Sequence, residues 1–424
     1  MSAINLAIKK AYRECRFFGK TSPLNILYAL TLNVLISRGK TKLIHKYLNW
    51  KKTTKNPLLK YYTAQVGFLF GEYQETTLIL KELINLYPHH ADMAYLLSET
   101  YRLQDKKELA RDILEVTLEN SHRLKTWLML ANLTVNNGDH QRLKSLWLLY
   151  KNTGKTPAYH YELESYISTS AMRSKNYDEA IELWKDFIQK TINKDAIFPS
   201  NNSIKKFSSD SASKALIDLK KVFKNAGIEF FLVSGTLLGC IREGKLLGHD
   251  KDIDVGVWSD VRIEIIINQI KKSGLFYIQA TRSSLAIRIK HVNGTAIDIF
   301  LHFREKDNYW HGGSKLKWNN TPFTLITCKF LNDEYLIPAN YDLYLSENYG
   351  DWRTEKSNFD SAFDTPNATL ISNDELVVHT YRVLANSLNT NNSHNIKKNI
   401  SILDKLGEKT CEMKKTLSQF VFDE

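Results

Sequence analysis

Phe231-Leu-Val-Ser-Gly-Thr-Leu-Leu-Gly239, followed by His249-Asp-Lys-Asp-Ile-Asp-Val-Gly-Val257, is the stretch on which the fold turns. The apolar run from Phe230 to Val233 predicts a short buried strand that ends in Ser234-Gly235-Thr236. Small residues at that point let backbone N–H groups approach a phosphate closely. Seventeen positions separate Gly235 from Asp252, after which Asp252 and Asp254 alternate with Ile253, Val255 and Val257. On a strand, where side chains alternate between faces, both carboxylates point the same way. Two acidic groups on one edge, opposite a glycine turn, suit a divalent cation that bridges the phosphates of a nucleotide. The outline is that of a phosphoryl-transfer site. Each piece alone reads as an ordinary turn or a solvated edge strand, so the reading rests on the combination.

A third carboxylate belongs to the set. Leu285 to Val292 and Thr295 to His302 are alternating runs joined by Asn293-Gly294, which predicts a hairpin with a type I′ turn. Asp298 lies in the second run between Ile297 and Ile299. An aspartate in such a strand is costly to bury unless a cation or hydrogen-bond donors satisfy it, and otherwise it faces solvent.

Taken together, Ser234-Gly-Thr-Leu-Leu-Gly239, Arg242-Glu-Gly-Lys245, Gly248-His-Asp-Lys-Asp-Ile-Asp254 and Tyr349-Gly-Asp-Trp352 resemble the LicD family of the nucleotidyltransferase superfamily. The resemblance covers about residues 210–370, and the joint motif is specific where each piece is weak. It implies transfer of a phospho-alcohol group, such as phosphocholine, ribitol phosphate or glycerol phosphate, from a CDP-activated donor to a sugar hydroxyl, with release of CMP. The acceptor implied is a cell-surface glycan, of the capsule or lipopolysaccharide kind, reached from the cytoplasmic side. Lys251 departs from the pattern, because many relatives carry a further acid there.

Composition sets wider bounds. A chain of 424 residues accommodates two or three domains with their own cores. Hydrophobic residues at 43% and charged residues at 25% are ordinary for a globular protein. The net charge of +12 suits nucleic acid, an anionic membrane surface or acidic substrates; lysines occur along the whole chain and do not choose among them. The resemblance, in contrast, implies no nucleic-acid partner. Cys15, Cys240, Cys328 and Cys411 form no Cys-x-x-Cys pair, so free thiols in a reducing cytoplasm are expected rather than a zinc site. Lys9 and Lys10 interrupt the first apolar run, against a secretory signal. No run reaches the roughly eighteen apolar residues of a membrane helix, so any membrane contact is expected to be peripheral, at the inner face.

The expected architecture is α+β: an all-α helical-repeat domain over residues 1–195, a linker over 196–212 and a mixed α/β nucleotidyltransferase-fold domain over 213–424. Turn-like segments around Gly71, Gln104, Gly138 and Asn176 recur at 33, 34 and 38 residues, a period that resembles degenerate tetratricopeptide repeats. Such helix pairs usually bind a peptide, a protein partner or another domain. Phe198 to Ser203 and Ser208 to Ser213 supply the linker composition. A helix is expected over Lys214–Asn225 with Gly227 as its cap, another over Tyr341–Asn348, and a basic amphipathic helix over about Ile396–Phe420.

Asp252, Asp254 and Asp298 are the expected catalytic and metal-binding residues, for Mg²⁺ or Mn²⁺; Asp298 is either a third ligand or the base that takes the proton of the attacking hydroxyl. Ser234, Gly235 and Thr236 are expected to hold a phosphate through backbone and hydroxyl donors. Arg242, Lys245 and Arg288 are candidate phosphate contacts, Tyr349 and Asp351 candidate substrate contacts, and Trp352 is expected to close the core. Two other readings remain open: a nucleotidyltransferase that modifies a protein, an RNA or a small molecule, and an interaction protein that acts through its helices and carries an inactive transferase domain.

Overall fold

The computed structural model describes residues 3–18, 22–51, 54–199, 208–248, 250–356 and 359–421. The chain opens with eleven helices among these residues: α1 (Ala3–Phe17), α2 (Pro23–Ser37), α3 (Thr41–Trp50), α4 (Pro57–Leu69), α5 (Tyr73–Leu86), α6 (Ala91–Arg102), α7 (Lys107–Asn120), α8 (Leu124–Asn132), α9 (Asn137–Asn152), α10 (Tyr161–Arg173) and α11 (Tyr177–Ile192). Ser22-Pro23 and Asn56-Pro57 start α2 and α4 in the same way, with a side chain that accepts a free first-turn N–H and a proline that lacks one. Gly39, Gly71, Asp105 and Lys175 end the first helix of four pairs in left-handed conformations, at spacings of 32, 34 and twice 35 residues. The α2/α3 pair thus extends the period one step beyond the turns read from sequence, and the arrangement is compatible with tetratricopeptide-like pairs. One turn differs from expectation: Asn137-Gly-Asp139 forms the first turn of α9, because Asn136 and Asp139 close a capping box.

A mixed α/β region follows: α12 (Ser209–Asn225), β1 (Phe231–Leu232), α13 (Ser234–Glu243), β2 (Asp252–Trp258), α14 (Ile263–Lys272), β3 (Phe276–Ile278), β4 (Ala286–His291), β5 (Ala296–Arg304), β6 (Tyr309–Gly312), β7 (Leu316–Asn320), β8 (Leu325–Phe330), β9 (Asp333–Pro338), α15 (Tyr341–Tyr349) and β10 (Ala368–Leu370). The sheet runs β10-β7-β6-β5-β2-β1-β9-β8, with β4 on the other part of β5 and β3 beside β4. β2 is parallel to β5, while β1 is antiparallel to β2 and parallel to β9. Ile253, Val255 and Val257 point into the core with Ile297, Ile299, Phe223 and Leu237.

The hairpin forms as expected, but its turn differs. His291 receives Gly294 N–H at 2.8 Å and gives its own N–H to Thr295 at 2.8 Å, so the loop is the three residues 292–294. Gly294 alone of the two has positive φ, at 99°, which is the form with a left-handed third residue rather than type I′.

By packing, the chain groups into two compact units: residues 1–113 with 206–369, and residues 114–205 with 370–424. The grouping differs from the sequential division expected at 196–212, although one border falls in that stretch. Residues 200–207 of the expected linker, and His249 of the motif, lie outside the described residues. Ser208–Ser213 is not linker: Ser208 caps α12, which runs on to Asn225. In the first unit the helices bury apolar faces against α14 and β3. Phe68 stacks on Tyr277 at 6.0 Å, and Arg102 donates to the Ile278 carbonyl at 2.8 Å. In the second, Trp184 and Phe187 of α11 share a core with Tyr381 and Leu384 of α16 (Asn373–Asn389). The final basic segment is two helices, α17 (Ser393–Lys405) and α18 (Cys411–Val421), parted at Gly407 with φ 90°. No helix among the described residues is long and apolar enough to cross a membrane.

Candidate functional site

The site begins where β1 turns into α13. Ser234 makes that turn with φ 48°, a left-handed conformation that costs a non-glycine residue about 1–2 kcal/mol. Gly235 comes next, and a Cβ on it would lie 2.9 Å from Asp250 Oδ2; only glycine lets the turn sit against that carboxylate. The Gly235 backbone also hydrogen-bonds to the Asp254 carboxylate. Thr236 is fully buried, and its hydroxyl accepts the Asp254 N–H at 2.8 Å. The turn therefore fixes the acidic strand as well as offering the N-terminus of a ten-residue helix to an anion.

Strand register aligns the acids. Asp254 pairs with Asp298 across the parallel β2–β5 ladder, and Arg288 pairs with Asp298 from β4. Gly256 follows on the same face of β2, where a Cβ would meet the Phe231 ring at 2.6 Å. Arg288 grips Asp298 Oδ2 through Nε at 3.0 Å and Nη2 at 2.7 Å. Burial, then the charges of Asp252, Asp298 and Asp250, push the Asp254 carboxyl well above the ordinary aspartate range. Asp252 is raised by burial and by Asp298, with Arg288 and Lys251 opposing. Asp298 is raised by burial against the pull of Arg288.

These groups face a cavity of about 620 Å³ lined by Ser234, Gly235, Arg242, Asp250, Asp252, Asp254, Tyr349 and Asp351, a size that suits a small organic ligand. Of the residues expected at the site, the structure brings those together, Asp250 excepted. Thr236, Arg288 and Asp298 stand outside the lining, and Lys245 is exposed with its ammonium 3.9 Å from Glu243. Arg242 donates to Trp352 O at 3.4 Å and pairs with Glu243 at 3.0 Å. Burial, then Asp254, raise the Tyr349 phenol far above its usual range, so it stays protonated beside the acids. Asp351 is exposed and its carboxyl is held low by the Thr354 hydroxyl. Trp352 is core as expected, with Nε1 bonded to Asp342 at 3.2 Å, although its edge reaches the cavity.

Sequence reasoning missed Asp250, whose signal was its parity with Asp252 and Asp254, and Lys356, whose ammonium donates to Tyr349 O at 3.2 Å. It also missed the aromatic wall of Phe300, His311 and Trp318. His311 stacks on His302 at 4.3 Å; burial holds both imidazoles neutral, that of His302 down to about 3. The wall is thus uncharged.

The donor set fits a hard divalent cation. Carboxylates that raise one another's pKa in a cavity are short of positive charge, and oxygen ligands are what Mg²⁺ and Mn²⁺ take. Among the described residues no three His, Cys, Asp or Glu side chains form a ready-made cage. Asp298, gripped by Arg288, lies beside Asp254 on the neighbouring strand and outside the cavity lining.

Comparison with known proteins adds the lineage. Residues 227–340 match the family described as LicD/FKTN/FKRP, nucleotidyltransferase domain. A mouse protein named ribitol-5-phosphate transferase FKTN is 29% identical over 167 residues, which cover 37% of this chain and 36% of that protein. The human protein of that name is 26% identical over 179 residues, 39% of each chain. An uncharacterised protein of Rickettsia typhi is 26% identical over 148 residues, 32% of this chain and 44% of its own. The chain therefore spans little more than a third of the curated transferases it matches. Family match, acidic register and glycine turn coincide on one segment, and residues 227–340 are a LicD-family nucleotidyltransferase domain.

Proposed function

We propose that this protein transfers a phospho-alcohol unit from a CDP-activated donor to a sugar hydroxyl of a glycan and releases CMP. The observation that carries the reading is the row of Asp250, Asp252 and Asp254 facing one cavity beside the Ser234–Gly235 turn. The ribitol-5-phosphate transferases it resembles support the phospho-alcohol class. Backbone N–H groups at the start of α13 bind donor phosphate oxygens, and Arg242 and Lys356 offset the remaining charge. Asp252 and Asp254 are the residues that would hold Mg²⁺ or Mn²⁺, which would supply positive charge against the donor diphosphate. Tyr349 stays protonated and so adds no charge beside the acids. Arg288 fixes the Asp298 carboxyl on the strand next to Asp254, as part of the acidic row. The aromatic wall of Phe300, His311 and Trp318 gives a ring a flat face.

The test incubates the protein with CDP-choline, CDP-ribitol and CDP-glycerol and measures CMP. Metal-dependent CMP release from one donor, lost in Asp252→Asn, is the expected result. Pyrophosphate release from a nucleoside triphosphate, with no CMP from any CDP-alcohol, would contradict the proposal and favour nucleotidyl transfer.

A further inference from the structure

Lysines occur along the whole chain, but acids do not. Residues 1–71 contain thirteen Lys and Arg and a single acid, Glu14. The remaining 353 residues balance 45 basic against 45 acidic side chains, so the entire net charge of +12 belongs to the first 71. Between Cys15 and Gly71 there is no Asp or Glu at all. The flanking carboxylates are engaged: Glu14 is buried against Tyr62 and Asn33, and Glu72 pairs with His45 at 2.9 Å.

This segment also exposes apolar side chains. Leu24 and Leu27 on α2 and Leu43 and Trp50 on α3 are 57, 59, 61 and 75% exposed. Leu43, Tyr47 and Trp50 recur at helical spacing and so share one face of α3. Tyr47 hydrogen-bonds to Tyr28 of α2, which joins that stripe to Leu24 and Leu27. Lys42 and Lys46 are exposed and, among the described residues, form no ion pair; Lys51 lies 4.3 Å over the Trp50 ring. An ordinary surface helix would carry acids among its lysines and polar residues where these leucines stand.

We propose that the α2–α3 face docks the protein on an anionic phospholipid bilayer, with Leu24, Leu27, Leu43 and Trp50 inserted at the headgroup boundary and the lysines on lipid phosphates. Basic charge alone would serve any polyanion. The exposed leucines decide for lipid, since they gain free energy beneath headgroups and none on a phosphate polymer. An indole at the boundary, flanked by lysines, is the usual interfacial pairing. This face belongs to the same compact unit as the cavity, so docking would tether the unit that carries the candidate active site.

The test uses the full chain without donor, so its outcome is independent of the transferase reading. Sedimentation with phosphatidylcholine vesicles, with and without phosphatidylglycerol, measures binding. Wild type should bind the anionic vesicles and not the neutral ones, more weakly as salt rises. Replacing Leu24, Leu27, Leu43 and Trp50 by Ser should weaken that binding by at least a hundredfold, on the order expected for four unburied apolar side chains. Lys42→Gln, Lys46→Gln and Lys51→Gln together should lose about fivefold per charge. The leucines, Trp50, Lys42 and Lys46 are exposed and Lys51 is half-buried, so both variants should keep the wild-type melting temperature. Wild type that ignores anionic vesicles, or a serine variant that binds them like wild type, overturns the proposal; the latter assigns the patch to a polyanion.

Discussion

Asp254 is the residue on which the most forces converge. Its carboxylate is held by the Gly235 backbone, its N–H by Thr236, and its charge is opposed by Asp250, Asp252 and Asp298. Neutralising it should relieve repulsion while removing a cation ligand. Asp254→Asn is expected to lower turnover by a hundredfold or more, the usual loss for a group that stabilises transition-state charge, with the circular dichroism spectrum unchanged. Wild type should gain melting temperature on adding Mn²⁺, and the variant should gain none. An unaltered metal response would remove Asp254 from the ligand set. Glu164, in the second unit, gives a separate pH test. Burial, against Lys151 and with Asp186 adding, pushes its carboxyl up to about 8, from an unfolded value near 4.3. A raised acid stabilises the fold fully below the unfolded pKa, and that contribution is lost as pH rises through the folded one. Melting temperature should therefore fall between about pH 4.3 and 8 and level off above, and Glu164→Gln should flatten the fall. Parallel curves for the two proteins would refute the assignment.

At the scale of elements, the glycines separate function from packing. Gly235→Ala puts a methyl 2.9 Å from Asp250 Oδ2, whereas Gly256→Ala drives one to 2.6 Å from the Phe231 ring in the core. The first should mainly lower turnover, because a carboxylate at the cavity can shift. The second should mainly lower stability, by about 1–3 kcal/mol as overpacked cores do. Denaturant midpoints and CMP assays on both variants check this, and the reverse ranking would contradict it. The strand β1, the small-residue turn after it and the parity of Asp252 and Asp254 were legible because they follow from local period and composition, whereas the helix α13 that the turn opens was not read. The role of Thr236 was not legible, since its hydroxyl, on α13, finds its partner eighteen residues away on β2. Nor was the hold of Arg288 on Asp298, which depends on cross-strand register. Asn293-Gly294 correctly signalled a hairpin, but loop length decided the turn type.

For the whole molecule, contiguity in sequence is a poor guide to contiguity in packing. A repeat period marks helix pairs without saying what covers their outer faces. Here α14 and β3 cover part of the early helices, and α16 covers α11. Each compact unit is built from chain on both sides of residues 200–207. A protease nick in that stretch should therefore leave two fragments that co-elute under native conditions and part only in denaturant. Fragments that separate in native buffer would restore the sequential division into 1–195 and 213–424. The concentration of net charge was equally legible and easily passed over, because it shows only when the missing acids are counted by segment.

The account stands on the claim that the cavity beside Asp252 and Asp254 turns over a CDP-activated alcohol. The most direct measurement is CMP formed from a panel of CDP-alcohols by wild type and by Asp252→Asn, each with Mn²⁺ and with a chelator. The expected result is CMP from at least one donor, dependent on the metal and reduced a hundredfold or more in the variant. CMP release that persists in the chelator, or in the variant, would contradict it.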